Sequence, residues 1–210
     1  MAPMTSPRSY GDPCGIARAL DLVGERWALL IVRELIFGPK RFTDLRDGLM
    51  GASPNVLTQR LGELVAAGIV QRSATGARVY ELTPRGRELH PILCQLGQWG
   101  ARASGSRPSG KLSADALMVA LESTFTPPPG IVLRASYEVR LGAAQFSVDV
   151  DGATIAITRG AARRPAATIA TDVVTLRALV FGDRKLAGAP VTIEGDQRAA
   201  RTFFKLFARP

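Results

Sequence analysis

The chain has 210 residues, of which 46% are hydrophobic and 21% charged, so it is long enough for one ordinary or two small folded domains and too apolar for wholesale disorder. No charge-free apolar run approaches the roughly 18 residues of a membrane span, and the opening MAPMTSPRSYGDP lacks the apolar core of a signal peptide, so a cytoplasmic protein is expected. Two cysteines and one histidine exclude a disulfide scaffold and a multi-histidine metal site, and no cofactor or metal is expected. Lysine and arginine number 27 against 18 acidic residues, a net charge of +9 that is compatible with nucleic acid as a partner.

Taken in order, the first 103 residues read as helices followed by a hairpin and a closing helix. Asp12-Pro13 is a cap followed by proline at the first helical position, ahead of Ile16, Leu20 and Val23 at helical spacing and a stop at Gly24. Trp27, Leu30, Ile31 and Leu35 stripe a second helix ending at Gly38-Pro39. Thr43 is placed to cap a short third helix carrying Leu45 and Leu49. Ser53-Pro54 repeats the cap-and-proline signal and opens a fourth, with Leu57, Leu61, Leu64 and Val65 inward and Gly68 suited to its left-handed end. Residues 69–73 and 78–82 are β-prone runs joined by Ala74-Thr75-Gly76-Ala77. Thr83-Pro84 then opens a helix with Leu89, Ile92, Leu93, Leu96 and Trp99.

Residues 104–111 read as a linker between a domain at 1–103 and another at 112–210. Ser113 caps a helix over 113–125, which Pro127-Pro128-Pro129-Gly130 breaks. Strand-like runs follow at 131–141, 144–150, 153–159 and 167–171, with Asp151-Gly152 as a hairpin turn. A helix over 172–182, a strand at 190–194 and a phenylalanine-rich helix over 197–207 complete an α+β pattern.

The fourth helix carries the chemistry of DNA reading. With the leucines inward, Asn55, Val56 and Gln59 point outward, with Thr58 and Arg60 on the flanks. Asparagine and glutamine pair with adenine edges, arginine with guanine and valine with the thymine methyl, so these five are the base-reading candidates. Lys40, Arg41, Ser53, Arg72 and Arg78 are the candidates for contacts to the sugar–phosphate backbone. An ordinary solvated helix presents a similar polar face; helices followed by a basic hairpin make the winged helix-turn-helix pattern the more specific reading.

Those residues also carry a family resemblance. Residues 14–102 resemble the HxlR-type winged-helix regulators through LDLVGERWALLIVREL (20–35), GPKRFTDLRDGL (38–49), SPNVLTQRLGELVAAGIVQR (53–72), YELTPRGREL (80–89) and LGQWG (96–100). The resemblance implies a homodimer that binds double-stranded DNA, pairs through its terminal helices and places the two fourth helices in successive major grooves. It also makes Cys14 a candidate redox sensor, because a thiol at a helix N-terminus is stabilised as thiolate; packing at an interface is the alternative for that residue. Cys94, between Leu93 and Gln95, reads as core, and His90 as structural.

Residues 112–207 resemble the sterol-carrier-protein family through RPAATIATDVVTLRALVFG (164–182) and VTIEGDQRAARTFFKLF (191–207). That resemblance implies an apolar tunnel, with Leu133, Tyr137, Phe146, Phe203, Phe204 and Phe207 as lining candidates, or as core. Leu133, Ala135, Tyr137 and Val139 are expected on one face of the sheet, and Phe146, Val148 and Val150 on another. The combined reading is a non-enzymatic, homodimeric transcriptional regulator controlled by a hydrophobic small molecule. The alternative is a carrier of apolar molecules whose first half serves only dimerisation.

Overall fold

A computed structural model describes residues 9–73, 79–103, 110–128 and 133–208. The chain divides into two units, Met1–His90 and Pro91–Pro210. The division falls inside a helix; the expected linker at 104–111 lies mostly outside the described residues.

In the first unit, α1 (Gly15–Val23) starts later than Asp12-Pro13 predicts, with Cys14 at the N-cap. The Asp12 carboxylate accepts the Cys14 N–H at 2.8 Å, so it orders the approach to the helix instead of capping its first turn. α2 (Ala28–Leu35) buries Ile31, Val32 and Leu35. A two-residue strand that no periodicity announces, β1 (Lys40–Arg41), leads into α3 (Phe42–Gly48). Arg41, not Thr43, is the N-cap of α3, because Asp44 accepts the Arg41 N–H at 3.0 Å and fixes the start upstream. α4 (Pro54–Ala66) follows the sequence closely: Ser53 Oγ accepts the Val56 N–H at 3.3 Å, and Leu57, Leu61 and Leu64 are buried. Each of those leucines contributes about 1.5–3 kcal/mol through burial. Val65, expected inward, is exposed.

Gly68 ends α4 at φ +68°, where its own N–H reaches Val65 O and the Ile69 N–H reaches Leu64 O, both at 3.0 Å. β2 (Val70–Arg72) and β3 (Val79–Leu82) pair antiparallel, with Val70 opposite Leu82. β1 joins β3 on its other side, giving the order β1-β3-β2. Thr83 accepts the Gly86 N–H at 3.0 Å and opens α5 (Pro84–Arg87). Its hydroxyl also donates to Gly68 O at 2.7 Å, while its N–H reaches Ile69 O at 3.0 Å. Gly86 passes so close that a β-carbon there would stand 2.1 Å from Ile69 O. The single helix expected after Thr83 is two segments, α5 and α6 (Leu89–Ala101). Pro91 is the reason: it has no N–H for the Arg87 carbonyl and crowds it, so the turn at Glu88 closes by the shorter bond to Arg85 O.

In the second unit, Ser113 caps α7 (Ala114–Thr124) by accepting the Ala116 N–H at 2.9 Å. β4 (Arg134–Leu141), β5 (Ala144–Asp151) and β6 (Thr154–Arg159) form a meander. Its hairpin turns are Gly142-Ala143 and Gly152-Ala153, one residue beyond the expected Asp151-Gly152. Glycine leads each turn at φ +61° and +59°, values that suit the first position of a type II′ turn. β7 (Ala167–Thr171) pairs parallel to β4 and carries α8 (Val173–Val180). β8 (Thr192–Gly195) completes the sheet in the order β6-β5-β4-β7-β8. α9 (Gln197–Phe203) is shorter than the expected 197–207, because Phe207 leaves the helix to bridge Phe125.

The register corrects the expected faces. Tyr137 lies opposite Val148, Val139 opposite Phe146 and Ala135 opposite Val150, so both sets share one face. α9 meets that face where Phe203 packs on Tyr137, ring centres 5.2 Å apart. α7 meets it where buried Asp115 pairs with Arg159, whose guanidinium also lies over the Phe146 ring. The connection from β6 to β7 crosses the opposite face. There the buried Glu138 carboxylate accepts the Ala162 N–H at 2.9 Å and the Arg140 Nε–H at 2.6 Å.

Candidate nucleic-acid interface

α4 separates two chemistries along one helix. Leu57, Leu61 and Leu64 form its buried stripe, while Asn55, Thr58 and Gln59 are exposed and Val56 is half-buried. Ser53 and Pro54 start the helix in the open, with the positive end of the dipole toward solvent. Thr58 Oγ donates back to Pro54 O at 2.9 Å, which leaves its methyl and both oxygen lone pairs for a partner. Gln59 Nε2 donates to Glu63 Oε1 at 3.0 Å across one turn.

Arg60 differs from its neighbours. Its guanidinium donates to Glu25 Oε2 at 2.9 Å and to Glu63 Oε2, and the side chain is only 15% exposed. Of the backbone candidates, Arg41, Ser53 and Arg72 are exposed. Arg72 lies over the Tyr80 ring, its guanidinium carbon 5.7 Å from the centre. Lys40 is drawn inward: its ammonium donates at 2.8 Å to Glu34, whose carboxylate is fully buried and also takes Arg33 Nη2 at 3.0 Å. Arg78, in the wing tip, lies outside the described residues.

The outward reach of Asn55 and Gln59 was legible from helical spacing; the Gln59–Glu63 pair comes from the structure. Glu25, which holds Arg60 from 35 residues away, was not. Nor was Glu34, since no local pattern marks a carboxylate that helix packing will bury. Trp27, in the turn before α2, is the one non-glycine with positive φ among the described residues, at +80°. Its indole lies 3.5 Å from where a β-carbon on Gly51 would stand, in the turn that leads to α4.

Cys14 is exposed at the N-cap of α1. Cys94, expected in the core, is half-buried; Leu93 takes the inward position on α6 instead. Ile92, Leu96 and Trp99 recur on α6 at helical spacing and stay exposed, Trp99 at 73%. His90 meets the Phe37 ring edge-on at 6.4 Å. In the second unit Tyr137, Phe146, Phe203 and Phe207 are buried, while Leu133 and Phe204 are half-buried. Phe203 is the hub, with Tyr137, Phe204 and Phe207 around it at 5.2–5.6 Å. The Tyr137 hydroxyl is buried without a hydrogen-bond partner among the described residues.

Residues 22–107, which contain α4 and both described wing strands, match the HxlR-like helix-turn-helix family. The HTH-type transcriptional regulator sll1512 of Synechocystis sp. is 39% identical over 95 residues, covering 43% of this chain and 70% of that protein. The chain belongs to the HxlR-like helix-turn-helix family. A second relative in this family, the HTH-type transcriptional regulator YvaP of Bacillus subtilis, is 38% identical over 86 residues, 39% of this chain and 80% of that protein. Among solved structures, quinone-bound YodB from B. subtilis is 32% identical, covers 42% of this chain and 97% of its own, and has a TM-score of 0.38. The redox regulator HypR in its oxidized form is 34% identical, covers 44% and 100%, and has a TM-score of 0.41. The HxlR-like match ends at residue 107, ahead of α7 and the five-stranded mixed sheet. No described helix is long and apolar enough to cross a membrane.

Proposed function

We propose that this HxlR-like chain is a homodimeric, cytoplasmic regulator of transcription that reads DNA sequence with α4. The observation that carries the reading is the exposed polar face of α4 at Asn55, Thr58 and Gln59, set opposite three buried leucines and opened by a Ser53 cap. On this reading α4 enters the major groove by its N-terminal half. Asn55 and Gln59 meet adenine edges, Val56 a thymine methyl, and Thr58 either base edge, with Arg60 at the inner margin. Ser53, Arg41 and Arg72 touch phosphates, Arg78 is a further backbone candidate, and Lys40 supports β1 from its pair with Glu34. The apolar stripe Ile92, Leu96 and Trp99 on α6 supports pairing of two copies, since an exposed stripe of that size calls for a partner.

The second unit, on this proposal, is a sterol-carrier-like effector domain. Its support is the aromatic cluster around Phe203. Because those rings are packed, an apolar ligand enters only by parting Phe203 from Tyr137, and so couples binding to a change of shape. Cys14, exposed at a helix start, is where an oxidant acts; unchanged DNA affinity after mild peroxide treatment removes that role.

The test is a titration of purified protein on the promoter beside its own gene and on scrambled duplex. Preference for the promoter, with affinity falling steeply as salt rises, is the expected result. Equal binding to both duplexes, or none, defeats the regulator reading and leaves the carrier alternative.

A further inference from the structure

One turn of the chain, residues 24–27, holds the reading helix from the side and bounds the loop that feeds it. Glu25 accepts Arg60 Nη2 at 2.9 Å on the flank of α4, and Trp27 packs beside Gly51 in the turn before α4. The three buried leucines resist pulling α4 away from the unit. All three lie on one stripe, so they constrain rotation about the helix axis less well than a contact on the flank does. Glu63 extends the bridge, since it takes Arg60 on one oxygen and Gln59 on the other.

Base reading tolerates little rotation, because hydrogen bonds weaken steeply as they bend. A bidentate contact to guanine also needs two parallel donors from one guanidinium. In Arg60 both terminal nitrogens already serve carboxylates, one each to Glu25 and Glu63.

We propose that Arg60 is a positioning residue and that the Glu25–Arg60–Glu63 bridge is a specificity determinant, fixing the roll of α4 so that Asn55 and Gln59 meet the bases in register. This rests on the reading that α4 enters the groove. Direct guanine reading by Arg60 is the competing role, and the experiment separates the two.

Full-length wild type, Glu25→Gln, Arg60→Ala, Arg60→Lys and the double variant Glu25→Gln/Arg60→Ala are titrated across a salt series. The probes are a duplex that the wild type selects from fragmented genomic DNA and a scrambled duplex. Arg60→Ala is expected to lower the ratio of selected to scrambled affinity about 10-fold, with the slope of log affinity against log salt unchanged. Glu25→Gln, which removes the carboxylate charge that holds Arg60 and adds no positive charge for DNA, is expected to lower the same ratio about 3-fold, and the double variant little more than Arg60→Ala alone. Arg60→Lys restores part of the ratio, because one ammonium cannot serve both carboxylates as a fork does.

A ratio unchanged in Glu25→Gln beside the loss in Arg60→Ala overturns the proposal in favour of direct guanine reading, and a salt slope reduced by about one in Arg60→Ala overturns it in favour of a phosphate contact. The same four variants are unfolded in urea without DNA. Non-additive effects of Glu25→Gln and Arg60→Ala on the unfolding constant, by about 3-fold, support the bridge, and additive effects overturn it. If the wild type selects no duplex while that coupling persists, the regulator reading and the specificity role fall together and the bridge itself stands.

Discussion

Both units pair buried carboxylates with cations, Glu34 in the first and Asp115 and Glu138 in the second, but the second also buries a polar group that has no such match. In the first, the fully buried Glu34 carboxylate is met by two cations, Arg33 at 3.0 Å and Lys40 at 2.8 Å. In the second, the Tyr137 hydroxyl sits inside an aromatic cluster with no partner among the described residues. The difference follows from what holds each unit together. Short helices of four to thirteen residues share few backbone bonds with one another, so charge across elements serves as a cross-link between α2 and β1. A five-stranded sheet is already tied by its ladder, with the Asp115–Arg159 and Glu138–Arg140 pairs beside it, so ring packing can hold a hydroxyl that no charge or donor meets.

The comparison is tested hardest by Glu34→Ala. Removing the carboxylate leaves two cations facing each other at a helix–strand junction and opens a cavity, and the loss expected is about 3 kcal/mol in urea unfolding. A loss below about 1 kcal/mol would show that Glu34 is not the cross-link it resembles.

Tyr137→Phe should move the second unit the other way. It deletes a buried hydroxyl that has no described partner and keeps the ring on Phe203, so a gain of about 1 kcal/mol is expected. Burial, with the charge of Asp196 second, also pushes the Tyr137 phenol above its ordinary value. The unfolded phenol therefore ionises first. The wild type keeps this contribution below about pH 10 and loses it as the pH rises beyond that, an alkaline decline the phenylalanine variant lacks. A hydroxyl held by an ordered water would instead make Tyr137→Phe destabilising.

An effect of similar size sharpens the contrast at the surface. Asp172 caps α8, accepting the Thr175 hydroxyl at 2.7 Å and the Thr175 N–H at 2.8 Å, and these bonds hold its carboxyl below the usual range. Asp172→Ala should cost about 1 kcal/mol at neutral pH. The gap between variant and wild type should close as the pH falls below about 4, where the unfolded carboxyl, and then the folded one, takes its proton. A gap that persists undiminished in acid would assign the effect to packing.

What the sequence disclosed divides along physical lines. Ser53-Pro54, the leucine stripe and Gly68 placed α4 correctly, because cap, period and left-handed stop all act within a few residues. α1 was misplaced by two residues because Asp12 serves the chain before the helix as readily as it caps a first turn. β1 was missed because two residues carry no period, and pairing with β3 alone makes them a strand. The sheet faces needed the register, which depends on turns that start at Gly142 and Gly152. At the interface, Asn55 and Gln59 were readable from helix geometry. The occupied state of Arg60 and Lys40 was not, because their partners are fixed by the packing of helices and not by spacing on one.

Thr83 is a joint without play. One side chain ties the end of α4 to the first turn of α5, and Gly86 brings the two backbones into close contact. The end of α4 and the start of α5 therefore share one anchoring hydroxyl and one close backbone approach. Even an alanine at position 86 would wedge that coupling open.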